Sequence, residues 1–150
     1  AGYPCVVTMD ADGQHEPAYL EQLLKAGETA DVVIGACPAR GSRLRRFAWG
    51  YFRFLTGFNF EGLTSGFRYY NSSACRQLAV EEATLLDYQD VGVLLLLHKA
   101  GFQIREVAVA MHPREVGASR IFDSWLTVAR YMAETTLLCM ARWKIRPPRP

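Results

Sequence analysis

The residues best suited to chemistry stand near the front of the chain, in Asp10-Ala11-Asp12-Gly13-Gln14-His15. Two carboxylates spaced by one residue, with a carboxamide two further on, offer hard oxygen donors. Such donors suit Mg²⁺ or Mn²⁺ rather than zinc. Gly13 lets the backbone pass close to a ligand. A divalent ion held by Asp10, Asp12 and Gln14 would neutralise a diphosphate and hold it as a leaving group. The same residue types also build a solvated turn that binds nothing. His15 reads as a ligand, as a hydrogen-bonding group, or as the residue leading into a helix. An EF-hand loop is excluded, because His15 stands where glycine is required and Pro17 interrupts the loop. A phosphatase with an aspartyl nucleophile lacks its downstream partners, since the interior lysines Lys25 and Lys99 both fall on helical patterns.

The position of these residues depends on the elements around them. Cys5 to Met9 is a short apolar, β-branched run that reads as a buried strand ending at Asp10. In an open α/β sheet, ligands bind beyond the carboxyl ends of strands. Pro17 opens a helix with Leu20, Leu23 and Leu24 on one face, closed by Gly27. Val32 to Ala36 is a second buried strand, and this order argues for an α/β layer. Ser42 to Thr56 reads as a helix, with Leu44, Phe47, Tyr51, Phe52 and Leu55 on its apolar side. Gly66 to Tyr70 is a short strand. Ser72 or Ser73 is placed to cap a helix running to about Val80. Asp90 to Ala100 is a further helix, stopped by Gly101. Phe102 and Ile104 alternate inward, as do Val107, Val109 and Met111, and the change of phase between 104 and 107 predicts a bulge or bend. Ile121 to Trp143 is a long amphipathic helix. Phe122, Trp125, Leu126, Ala129, Met132, Ala133, Thr136, Met140 and Trp143 line one face, and Asp123, Thr127, Arg130 and Glu134 the other.

Composition narrows the class. Half of the 150 residues are hydrophobic, so the chain can form a core and general disorder is excluded. The net charge of +2 says little, but its distribution says more. Arg40, Arg43, Arg45, Arg46 and Arg53 occupy an acid-free stretch between Asp31 and Glu61, and Arg142, Lys144, Arg146 and Arg149 follow Glu134 with no acid. Such runs suit phosphate or an anionic membrane surface. Cys5, Cys37, Cys75 and Cys139 are scattered without metal spacing, as expected of reduced thiols in the cytosol. The Ala-Gly-Tyr-Pro start carries no signal peptide and no initiating Met, which suggests a piece of a longer protein. The longest apolar run, Val91 to Leu97, is far short of the ~20 residues that span a bilayer.

Four segments carry a resemblance to a known family. V-V-T-M-D-A-D-G-Q-H-E-P (6–17), T-S-G-F-R-Y-Y (64–70), H-K-A-G-F-Q-I-R-E-V-A-V (98–109) and R-E-V-G-A-S-R (114–120) resemble, in order, the D-x-D, S-G-F-R, K-x-G-x-x-I-x-E-V-P-V and R-x-x-G-x-S segments of family 2 glycosyltransferases. The likeness is strongest to dolichol-phosphate mannose synthases and their bacterial polyprenyl-phosphate relatives. It covers the chain from Val6 to Arg120. It implies a GT-A, Rossmann-like α/β fold, truncated at its N-terminus because the strands for base and ribose should precede Ala1. It implies a Mg²⁺ or Mn²⁺ ion and a donor diphosphate at Asp10, Asp12 and Gln14, and phosphate contacts at Arg114 and at Arg45 or Arg46.

The expected activity is metal-dependent, inverting transfer of a hexose, from a nucleotide sugar of GDP-mannose or UDP-glucose type, onto polyprenyl phosphate. A phosphate monoester is largely ionised near neutral pH, its second pKa being ~6, so the acceptor needs cations rather than a base. Arginines 40–53 with Arg114 and Arg120 fit that need. A sugar-hydroxyl acceptor would instead need a base, and Asp90 or Glu61 is placed for it. The bland reading of Asp90 is a helix cap. Residues 1–120 form the metal- and acceptor-binding part, and 121–150 a helix and basic tail suited to a membrane interface. The expected location is the cytoplasmic face of the membrane, with no nucleic-acid partner, and residues 1–150 alone are expected to be inactive. A non-catalytic binding or regulatory role is the rival of another class.

Three departures stand out. Ile34-Gly35 is followed by Ala36-Cys37 where related sequences carry arginine, leaving Arg40 to substitute. The acidic residue expected three before the serine of S-G-F-R is Gly62, with Glu61 one place early. The proline of E-V-P-V is Ala108.

Overall fold

A computed structural model describes residues 2–37, 43–57, 59–79, 89–112 and 125–143. Strand β1 (Cys5–Thr8) leads through a 3-10 turn (Pro17–Tyr19) into helix α1 (Leu20–Gly27), followed by β2 (Val32–Ala36) and α2 (Arg43–Thr56). Strand β3 (Arg68–Asn71), helices α3 (Ser72–Leu78) and α4 (Gln89–Lys99), strand β4 (Ile104–Ala108) and helix α5 (Trp125–Trp143) complete the order. The strands form one sheet in the order β1-β3-β2-β4. Strand β3 runs antiparallel to β1 and β2, whereas β2 and β4 are parallel. The carboxyl ends of β1, β2 and β4 and the start of β3 therefore share one edge. Among the described residues, the D-x-D segment leaves the sheet there and the S-G-F-R segment enters it there.

All five residues of β2 are buried, because both of its faces are covered. One face carries Val32, Ile34 and Tyr70 against Phe52, Leu63, Val91, Leu94 and Leu97. The other carries Val33, Phe67 and Tyr69 against Leu23 of α1, with Val107, Val109 and Met111 at its margin.

This double coverage corrects the expected bulge in β4. The ladder with β2 is continuous from Ile104 to Ala108. Phe102 and Ile104 point to one core, and Val107, Val109 and Met111 to the other. The apolar phase changes because the strand changes which face it buries, not because its backbone slips.

Other boundaries moved for local reasons. Asn71, not Ser72 or Ser73, caps α3: its Oδ1 accepts from Ala74 N at 2.8 Å, while its Nδ2 donates to Asp31 at 2.6 Å. Gly27 is the last residue of α1 and needs no left-handed backbone. It is glycine because a Cβ there would fall within 2.8 Å of the Tyr69 ring. Leu24, expected on the apolar face of α1, is 43% exposed.

The described part of α5 turns Met132, Thr135 and Thr136 inward, and the Thr136 hydroxyl bonds Tyr51 of α2 at 2.7 Å. Leu126, Ala129, Ala133 and Met140, on the apolar face read from the sequence, are exposed. In α2, Phe52 is buried but Phe47 is exposed. Both helices thus show apolar side chains that the described residues do not cover.

Glu106 of β4 ties the strand to the loop before β3. Its carboxylate accepts from Glu61 N at 3.0 Å and Gly62 N at 2.5 Å. Charge-assisted bonds of this kind are worth ~1.5–3 kcal/mol. Glu106→Ala is expected to cost ~2 kcal/mol, lowering Tm by ~5 °C in thermal melts. An unchanged Tm would show the loop to be held by other contacts.

Candidate active site

The D-x-D segment leaves β1 and folds back across the sheet edge. Gly13 takes φ 74°, a left-handed backbone that glycine adopts without cost. Asp12 Oδ1 accepts from the Gln14 amide at 3.2 Å and closes a side-chain turn. The segment is then pinned to the strand after β4: His112 N donates to Gln14 O at 2.9 Å, the Gln14 side-chain nitrogen reaches His112 O at 3.4 Å, and His15 bridges Met111.

The T-S-G-F-R segment supplies the opposite wall, and each residue has its own contact. Thr64 accepts from the Trp49 indole at 3.2 Å. Ser65 Oγ donates to Gly35 O at 2.6 Å. Phe67 is fully buried. Arg68, 3% exposed, donates to Leu63 O at 2.8 Å and lies 3.5 Å from the Tyr70 hydroxyl.

Gly66 lies directly beneath the Asp10 carboxylate. A Cβ at position 66 would fall within 2.6 Å of all three carboxylate atoms. The Thr8 hydroxyl donates to Gly66 O at 2.8 Å and fixes that approach. The segment therefore does not reach out to ligands. It brings a bare backbone up to the acid.

Gly62 explains the displaced acidic residue. A Cβ there would meet Ala36 Cβ at 2.8 Å and Ile34 Cγ2 at 2.9 Å, so no side chain fits, and the acid stands at exposed Glu61 instead.

The predicted site residues distribute unevenly. Asp10, Asp12 and Gln14 share the turn that follows β1 at the sheet edge. The Asp10 side chain is 56% exposed, Asp12 is half-buried and Gln14 is buried. Arg46 is an exposed residue of α2, and Arg45 neighbours it on that helix with its side chain outside the described residues. Asp90 lies in the first turn of α4, and its side chain is likewise outside them. Arg40, Arg114 and Arg120 lie outside the described residues altogether.

The donor set fits a divalent ion of the hard class. Asp10 and Asp12 supply two carboxylates on one turn, and Gly66 leaves the space above its backbone to the first of them. Among the described residues no three His, Cys, Asp or Glu side chains gather as a metal site. Two carboxylates completed by water and phosphate oxygens are the usual provision for Mg²⁺.

Residues 1–83 match the sequence profile described as glycosyl transferase family 2, more than half of the 150-residue chain. The chain belongs to that family. Its α/β sheet agrees with the GT-A fold expected of it. The undecaprenyl-phosphate mannosyltransferase of Micrococcus luteus is 31% identical over 131 residues, covering 80% of this chain and 54% of that protein. The polyprenol monophosphomannose synthase of Mycolicibacterium smegmatis is 29% identical over 157 residues, covering 97% of this chain and 57% of that protein. The chain thus spans little more than half the length of these relatives.

Sequence reasoning missed the contacts of Gly66 and Glu106 and left His15 open between ligand, hydrogen-bonding group and helix entry. Gly66 and Glu106 were legible only as parts of family segments, and their contacts join residues 56 and 44 or 45 positions apart, read from Asp10–Gly66, Gly62–Glu106 and Glu61–Glu106. His15 is not a residue of helix entry. It is buried to 6% exposure, with its ring 5.1 Å from that of Phe67. The one available signal was its spacing of five from Asp10 across a Gly-containing turn.

Proposed function

We propose that this chain carries the metal- and acceptor-binding part of an enzyme that transfers a hexose from a nucleotide sugar to a polyprenyl phosphate, with inversion. The observation that carries the reading is the Asp10 carboxylate seated over Gly66, with Asp12 beside it, at the shared carboxyl edge of β1, β2 and β4. Both relatives' names specify a polyprenyl phosphate or monophosphate and mannose, so mannose is the favoured sugar. Asp10 and Asp12, with Gln14, would hold Mg²⁺ or Mn²⁺, which when bound offsets the charge growing on the departing nucleotide diphosphate. Asp12 and Asp10 orient the donor diphosphate. Arg45, Arg46, Arg114 and Arg120 would receive the acceptor phosphate through planar, paired N–H donors. That phosphate attacks the anomeric carbon without a dedicated base.

The test is transfer by the full-length protein to polyprenyl phosphate, before and after Asp90→Asn. Persisting transfer supports a phosphate nucleophile. A fall of ~100-fold or more would show that the transfer depends on Asp90 and would overturn attack without a dedicated base. Absence of transfer to any polyprenyl phosphate would remove the lipid reading.

The membrane surface belongs to the same proposal. Phe47 and Phe54 of α2 are 64% and 88% exposed, and Leu126, Leu137 and Met140 of α5 are 82%, 67% and 60% exposed. Exposed Arg46 and Arg130 stand on the same two helices. No described helix is long and apolar enough to cross a bilayer. An apolar stripe with basic neighbours suits the interface of an anionic leaflet on the cytoplasmic side, where a lipid acceptor would wait. Phe54→Ser and Leu137→Ser are each expected to weaken binding to anionic vesicles by ~10-fold, the equivalent of ~1.5 kcal/mol of lost burial. Unaltered co-sedimentation of both variants would place these residues elsewhere.

A further inference from the structure

His15 is the buried titratable group closest to the proposed chemistry that the functional reading leaves unused. Its Nε2 lies 3.4 Å from Asp10 Oδ2, a long hydrogen bond, and its side chain is 1% exposed against 56% for Asp10. The ring packs on Phe67 at a centroid distance of 5.1 Å and a tilt of 44°. Its backbone is fixed by the bridge to Met111. Nδ1 is buried with no hydrogen-bond partner among the described residues.

These contacts define a tautomer. A neutral imidazole carries one proton on one of its two nitrogens. A proton on Nδ1 would bury an N–H without an acceptor and turn the Nε2 lone pair toward a carboxylate oxygen. A buried donor without a partner costs ~1–3 kcal/mol. A proton on Nε2 leaves Nδ1 as a buried acceptor instead of a buried donor, and it turns the contact with Asp10 from lone-pair repulsion into a hydrogen bond.

We propose that His15 is a positioning residue, held as the Nε2–H tautomer by Phe67 and the Met111 bridge, that fixes the Asp10 carboxylate over Gly66 in its metal-binding orientation. This rests on the reading of Asp10 as a metal-holding residue. Donation from Nε2 to Oδ2 holds the carboxylate in the space that the missing Cβ of Gly66 leaves open. An acid 56% exposed would otherwise sample several rotamers. Outer partners of ligating carboxylates typically change metal affinity 10–100-fold when removed.

The test uses the full chain and Mn²⁺ as probe. In ¹⁵N-labelled protein, His15 is expected to show a one-bond N–H coupling at Nε2 and none at Nδ1. In Mn²⁺ titrations followed by EPR, His15→Phe is expected to weaken binding ~10-fold or more. His15→Gln, which keeps an amide donor within reach, is expected to recover most of that loss at similar Tm. An Nδ1–H tautomer overturns the proposal, as does wild-type Mn²⁺ affinity in His15→Phe while Asp10→Asn loses binding. If Asp10→Asn itself binds Mn²⁺ as tightly as wild type, the metal reading fails instead. If His15→Phe does not fold, the tautomer in the unmodified protein and the His15→Gln titration decide.

Discussion

Asp10→Asn is expected to lower kcat/KM for sugar transfer by the full-length protein at least ~100-fold, with Tm nearly unchanged. The asparagine oxygen can still accept from His15 Nε2, and the side chain keeps the same shape over Gly66. What disappears is the negative charge. Asp12→Asn makes the companion case, because its Oδ1 bond to the Gln14 amide can be kept by an asparagine oxygen. Turn geometry therefore survives in both variants, and the kinetic loss reports charge alone. If the loss comes from weakened metal binding, raising Mn²⁺ should restore part of the rate in each single variant and little in the double variant. Full activity in Asp10→Asn would remove the chemical centre of the transferase reading. The long contact with His15 does not neutralise that centre, since more than half of the Asp10 side chain remains open to ligands.

How far the sequence disclosed this site follows from how local each signal is. Strand β2 was legible to the residue, because a strand covered on both faces is a continuous apolar run bounded by Asp31 and by the end of its pairing with β4 at Ala36. The D-x-D turn was legible because a glycine just after two aspartates states a turn, and Gly13 does take the left-handed backbone there. The failures share a cause: sequence periodicity reports that a face is apolar, not what covers it. In α5 the periodicity left the apolar face open between the sheet and a membrane interface, and Leu126 and Met140 on it are 82% and 60% exposed while Thr135, a polar residue, is 3% exposed. The helix has more apolar surface than one face of the sheet can take up. In β4 the same limit produced a bulge that does not exist, because two cores, not one, receive the strand's side chains. Asn71 was passed over as a cap because it also ends β3, and nothing local distinguishes a strand end from a helix cap when one residue serves as both.

Gly66→Ala should separate site from scaffold more sharply than any change of ligand. A methyl group there would occupy the volume of the Asp10 carboxylate, at less than the shortest contact real Cβ atoms make. Gly66 has no positive φ, so alanine suits its backbone, and the three atoms nearest the added methyl all belong to the Asp10 carboxylate. That carboxylate is the outer end of a flexible, largely exposed side chain and can swing away at small cost. Stability is therefore expected to change by less than ~1 kcal/mol, while activity falls ~100-fold, as for loss of the acid itself. Gly27→Ala and Gly62→Ala give the opposite pattern. Their methyl groups would meet the Tyr69 ring and the packed Ala36 and Ile34 side chains, which cannot withdraw, so each is expected to cost ~1–3 kcal/mol in stability. Thermal melts and initial rates on the three variants distinguish the cases. In the double variant Gly66→Ala with Asp10→Asn, the kinetic losses should fail to add, because both remove the same carboxylate from the same place. Additive losses, or a Gly66→Ala enzyme with normal rate, would mean that Asp10 does its work from some other position than the one above Gly66.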